Sequence, residues 1–248
     1  MPVTVTVTPR WLWCLVAAVI ALEVPYPLVH GHSRNVLTVA TVVVFAATSL
    51  AHAWCSSGRR RVGWLLGVAL FGFAAEVVGV HTGVPFGDYH YIGGLGPTLA
   101  GVPVAVGLAW MMMAQPAACV AERISSGRQR VVVAAVALAS WDVFLDPQMV
   151  DAHHWRWHHP DPHLPGIADV PLSNFGGWLL VSLVVMSMLS VAHSAPGRDD
   201  RPAVALWIWT WLSSTLANLA FFHRTAVAAW GFVAMGLVGL PLMRSARR

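Results

Sequence analysis

Eight apolar runs divide the chain, at about residues 11–29, 35–54, 62–82, 98–120, 129–146, 172–193, 203–222 and 225–243. Each is close to the roughly 20 residues that cross a bilayer as a helix. Lipid offers the backbone no hydrogen bonds, so runs of this kind predict helices. Only His223 and Arg224 separate the last two runs, which read as a tight hairpin or as one broken element. Eight helices are favoured over seven. Residues 1–9, a Val/Thr alternation ending at Pro9, are too short to pair as a strand and read as a loose tail. Arg10 before an apolar run resembles a signal peptide, but no small-residue cleavage site closes it and Glu23 interrupts its end. It reads as a retained first helix. No polar stretch approaches the about 50 residues of a small soluble domain, so residues 1–248 read as one integral membrane domain.

Composition agrees. The 248 residues are 57% hydrophobic and 10% charged, with a mean hydropathy of +0.64, whereas a soluble domain is roughly 25% charged. The expected class is an all-α polytopic transmembrane bundle, a multi-pass protein of the cell membrane in contact with lipid. All 15 cations are arginine. With eight spans, one side holds Arg10, Arg59, Arg60, Arg61, Arg123, Arg128, Arg130, Arg198, Arg201, Arg244, Arg247 and Arg248. The other holds Arg34, Arg156 and Arg224. This asymmetry predicts that both termini are cytoplasmic. It also assigns the basic pI to topology rather than to nucleic acid, for which no site is expected. Cys14, Cys55 and Cys119 are odd in number and lack ligand spacing, so neither a disulfide framework nor a zinc site follows.

The same topology puts two unusual loops on one face. Residues 83–97 carry five glycines and two prolines around Asp88, Tyr89, His90 and Tyr91, which predicts a structured re-entrant or interfacial loop. Residues 147–171 carry His153, His154, His158, His159 and His163 with Trp155 and Trp157. Between them in sequence, Asp142 and Asp146 lie one helical turn apart on one face, and Pro147 is expected to end that helix or expose its last carbonyls. Glu23, Glu76, Asp142 and Asp146 fall within apolar runs. Carboxyls in a membrane helix are costly and mark sites, and one buried without a cation favours its neutral form. Glu76 and the two aspartates share one end of the bundle. Glu23 sits beside Pro25 and Pro27, where a backbone cap is an alternative. Asn174 lies about one turn inside the sixth helix, after Pro171. His154, His158 and His159 have a spacing near that of histidine boxes, and would be the ligands if a metal were held. Indoles near the carboxylates, Trp141 and Trp178 among them, suit a carbocation as well as an interfacial belt.

Four motifs occur in order: Gly79-Val-His-Thr-Gly-Val-Pro-Phe-Gly-Asp-Tyr-His-Tyr91, Gly101-Val-Pro-Val followed by Trp110, Asp142-Val-Phe-Leu-Asp-Pro147 and Pro171-Leu-Ser-Asn-Phe-Gly-Gly-Trp178. Together they resemble the CruF-type carotenoid biosynthesis proteins, membrane-embedded hydratases of a terminal carotenoid double bond. The resemblance covers about residues 70–180. It matches Glu76, Asp142, Asp146, Asn174 and Trp178 to the family pattern. Where the family carries Tyr-Gly-Ile/Val-Pro, this chain has Pro165-Gly-Ile-Ala-Asp-Val-Pro171 and extra histidines, a departure that bears on substrate more than on reaction.

What the resemblance implies is hydration of an acyclic carotenoid end through a tertiary cation, without a cofactor. The catalytic candidates are Glu76 or Asp142 as general acid, Asp146 with Asn174 as the groups that orient or deprotonate water, and Asp88 at the polar mouth. Phe86, Tyr89, Tyr91, Trp110, Trp141, Phe175, Trp178 and His81 are the substrate-binding candidates. Expected partners are the lipophilic carotenoid and other enzymes of its pathway. A carotenoid-end cyclase using the same acid, a histidine-dependent metal oxidase or desaturase, and a small proton-coupled transporter are the competing readings.

Overall fold

The computed structural model describes residues 9–192 and 199–245. Most of the predicted N-terminal tail (residues 1–8), Arg198, Arg247 and Arg248 lie outside the described residues, as does His193 at the end of the sixth run. Among the described residues are eight helices long and apolar enough to span a membrane. They are α1 (Arg10–Glu23, continued by a 3₁₀ turn at Tyr26–Leu28), α2 (Gly31–Ser57), α3 (Arg59–Thr82), α4 (Val104–Ile124), α5 (Gln129–Asp151), α6 (Leu172–Ser190), α7 (Arg201–Ala220) and α8 (Thr225–Ser245). The chain is a polytopic transmembrane bundle, as its pattern predicts. The hairpin alternative holds for the last pair: His223 adopts a φ of 54°, and the Arg224 amide donates to the Asn218 carbonyl at 2.8 Å.

The bundle is built around α4. Its span is 72% buried, against 22% for α1, and it packs on α2, α3, α5 and α7. Its residues explain this: Gly107, Met111, Met112, Met113, Ala114, Ala117, Ala118 and Ala121 offer small or pliable surfaces to every neighbour.

Two boundaries differ from expectation. The fourth helix begins at Val104 rather than near 98, because β2 (Thr98–Leu99) folds back on β3 (Val102–Pro103) through Ala100 and Gly101, at φ 51° and 80°. Pro147 does not end α5, which runs to Asp151. Pro147 lacks the amide that would bond the Val143 carbonyl, yet the helix continues past it, as transmembrane helices allow, and Arg224 Nη1 donates to the Pro147 carbonyl in the last turn at 3.3 Å. The loops also hold short strands that apolar runs do not indicate.

One of these ribbons ties the two unusual loops together. β1 (Tyr89–Tyr91) pairs antiparallel with β4 (Trp155–Trp157), setting Tyr89 opposite Trp157, His90 opposite Arg156 and Tyr91 opposite Trp155. Successive strand residues point to opposite faces, so the two tyrosines and two tryptophans turn inward while His90 and Arg156 face out. A third ribbon, β5 (His163–Leu164) with β6 (Ile167–Pro171), leads into α6.

Candidate active site

Beneath the tyrosine–tryptophan ribbon lies a cavity. Its walls are mostly apolar, and its hydrogen-bonding groups gather in two sets.

The first set is centred on Glu76, buried on α3. Its Oε2 accepts from the Tyr89 hydroxyl at 2.5 Å and the Tyr91 hydroxyl at 3.0 Å. Its Oε1 accepts from Trp110 Nε1 at 3.1 Å. Three donors converge on one carboxyl, the arrangement that suits an anion. Burial, together with the charge and hydrogen bonds of Glu76, pushes the Tyr89 and Tyr91 phenols above the ordinary tyrosine range, so both stay protonated donors.

The second set is Asp142, Asp146 and Asn174. Positions i and i+4 of α5 stack the two carboxyls, and the first turn of α6 brings Asn174 between them. A single nitrogen, Asn174 Nδ2, donates to Asp142 Oδ2 at 2.8 Å and also to Asp146 Oδ2. The Trp155 indole is within hydrogen-bonding reach of Asp146. Asp142 is fully buried, and its Oδ1 has no hydrogen-bond partner among the described residues. Asp146 and Asn174 border the cavity with Glu76, and Asp142 stands behind them.

Indoles form much of the remaining wall. Trp110 stacks on Trp178 with centroids 4.0 Å apart and planes at 17°, and Trp141 meets Trp178 edge-on at 6.0 Å. Close backbones make room for these rings. A Cβ at Gly72 would lie 2.4 Å from Cγ of Trp110, and one at Gly177 would meet the Pro85 carbonyl at 2.7 Å.

Of the residues expected at the site, Glu76, Asp146, Asn174, Phe86, Tyr89, Tyr91, Trp110, Trp141 and Trp178 border this cavity. Others do not. Asp88 is exposed, with its backbone carbonyl accepting from the His158 amide at 2.9 Å. Strand alternation turns it away from the face Tyr89 occupies. His81 is exposed on the last turn of α3, and Phe175 is half-buried outside the lining. The histidine loop does not converge either. His154 is buried, and its Nδ1 donates to the Gly93 carbonyl at 2.9 Å. Burial lowers its pKa. His158 pairs with His90 at 3.0 Å, and His159 is exposed. No three His, Cys, Asp or Glu side chains are grouped as a metal site requires among the described residues.

Trp155 and Trp157, which the sequence marks only as indoles near the carboxylates, border the cavity too, and their alternation about Arg156 is the signal for it. No sequence signal marks the α2 wall of Thr38, Val39 and Val42. Nothing in the local pattern of α2 distinguishes that face from one against lipid.

A model of the carotenoid biosynthesis protein family matches residues 35–244. The chain is also similar to the bisanhydrobacterioruberin hydratase of Haloarcula japonica, with 28% identity over 149 residues. That stretch is 57% of this chain and 49% of the relative, so the match spans about half the relative's length. No solved structure matches.

Proposed function

The chain belongs to the carotenoid biosynthesis protein family, and we propose that it adds water to the terminal double bond of an acyclic carotenoid end. The observation that carries this reading is the pairing of Asp142 and Asp146 through Asn174 at the edge of an apolar, indole-walled cavity. Two adjacent carboxyls repel strongly when both are ionised, and no arginine bonds to either among the described residues. In this reading the pair carries one proton, and Asp146 presents it to the cavity while Asp142 stands behind as its reserve.

The chemistry balances without a redox cofactor. The Asp146 proton goes to the less substituted alkene carbon, and the π electrons form the new C–H bond. A tertiary cation remains on the neighbouring carbon. The Glu76 carboxyl, oriented by Tyr89, Tyr91 and Trp110, faces that charge and stabilises it, as do the indole faces, by roughly 0.5–2 kcal/mol for each well-placed ring. Water then adds to the cation, and the proton it sheds returns to the Asp142–Asp146 pair. The net change is one water gained and one alkene lost. This assigns the acid to Asp146 rather than to Glu76 or Asp142, because Glu76 is engaged as an acceptor and Asp142 does not border the cavity.

Pigment chromatography with mass spectrometry tests this, using a carotenoid-producing host with and without the protein. A mass gain of one water per modified end, as a tertiary alcohol, is the expected result. Turnover by purified protein should also survive a chelator. Unchanged mass with shifted absorption would mean that a second double bond, not water, captures the cation. Loss of two hydrogens, or loss of activity on chelation, would move the reaction to the histidine loop.

A further inference from the structure

Glu23 plays no part in the reaction above, yet it is not a helix cap. Trp209 Nε1 of α7 donates to its Oε2 at 2.6 Å, and the pair borders a second cavity. Six residues, Thr38, Val42, Met112, Trp141, Leu145 and Met149, line both cavities. The two are therefore neighbouring chambers with one shared wall. On α5, Trp141, Leu145 and Met149 recur every four residues and form one stripe. Asp142 and Asp146 each follow a member of that stripe, about 100° further round the helix. The same two turns thus supply the acid of the first chamber and the wall it shares with the second.

The second chamber combines a hydrocarbon surface with hydrogen-bonding groups. Phe144, Phe221 and Phe222 line it beside the Glu23 carboxyl. So do Tyr26 and Thr41, whose hydroxyls are buried without a hydrogen-bond partner among the described residues. Buried hydroxyls are nearly always paired, so unpaired ones facing a chamber point to a ligand that supplies the partner. A pure hydrocarbon supplies none.

We infer that the second chamber binds the stretch of substrate behind its reacting end, and that it selects an isoprenoid polyene bearing a hydroxyl there. The polyene crosses the shared wall, its terminal double bond reaching Asp146 while its hydroxyl meets Glu23, Tyr26 or Thr41. This assignment rests on the hydration reading for the identity of the reacting end.

Binding alone tests it, without turnover. The full chain in detergent is titrated with lycopene and with an acyclic carotenoid alcohol that carries a tertiary hydroxyl a few carbons behind a terminal double bond, following quenching of tryptophan fluorescence. The alcohol should bind roughly tenfold more tightly, the effect of one well-placed hydrogen bond to a buried group otherwise left unpaired. Glu23→Leu should bring the ratio of the two Kd values close to one. Should that variant not fold, Tyr26→Phe and Thr41→Val each remove a single hydroxyl, and at least one should shrink the ratio. Leu145→Trp, which fills the shared wall, should weaken both ligands. Equal affinities in the unaltered protein, or a preference untouched by every variant, would overturn the inference and leave water as the partner of these groups. A preserved preference without any hydrated product would refute the enzymatic reading and leave the chamber assignment standing.

Discussion

Polar groups are buried at both ends of this bundle, and the two clusters are built on opposite principles. At the end where α2 meets α3, Arg61 is 1% exposed. Its Nε donates to Gln115 Oε1 at 2.8 Å and its Nη1 to the Leu189 and Ala192 carbonyls at 3.2 and 2.8 Å. Glu122 lies 3.6 Å away, and Gln115 passes the chain on to His52 Nδ1 at 3.0 Å. Cation, anion and dipoles answer one another, and neither of the two chambers touches this cluster. At the other end, Glu76, Asp142 and Asp146 are three carboxyls with neutral donors and no bonded cation among the described residues. Glu76 and Asp146 border the first cavity. A compensated cluster ties helices together, whereas an uncompensated one beside a cavity holds chemistry ready.

Four substitutions break or sharpen that contrast. The largest effect is expected from Asp146→Asn, which keeps the shape and removes the transferable proton. Turnover should fall by roughly 10²–10⁴-fold, the usual worth of a positioned acid, with the thermal unfolding midpoint little changed. Near-normal turnover would remove Asp146 from the acid role. Next is Arg61→Leu, which should cost about 3 kcal/mol of stability by orphaning Glu122, Gln115 and two carbonyls. It would be read as a lower unfolding midpoint in detergent with turnover per folded molecule retained. If that turnover collapsed, the two ends would not be separable as drawn. Tyr89→Phe deletes one of three donors to Glu76 and should lower turnover by roughly tenfold, chiefly in kcat if Glu76 acts on the cation. Asp88→Asn should change turnover by less than about twofold, as exposed substitutions away from a site usually do. A large loss there would restore Asp88 to the site and place the reacting end nearer the loop surface.

The candidate site was only half legible in the chain. Asp142 and Asp146 were visible because helical periodicity is a local rule, and their cost in an apolar run is local as well. Glu76 and Asn174 were visible through their motifs. Asp88 was misplaced because a polar residue between Gly87 and Tyr89 offers no clue to which face it takes until β1 pairs with β4. That pairing joins residues 68 positions apart (Tyr89 to Trp157), and the same register brings Trp155 and Trp157 inside. Glu23 fared similarly: nothing near it in sequence announces Trp209.

By itself, the sequence determined the solvent, the number of helices, the presence of acids in apolar runs and the family, since each depends on composition, on spacing within one element or on short motifs. Only the tertiary structure decided which carboxyl faces the cavity, which is already saturated with donors, and which of the histidines and aromatics share its walls. Those outcomes depend on the rotation of one helix against another and the register of one short ribbon. Long-range packing sets both, and no single segment encodes either.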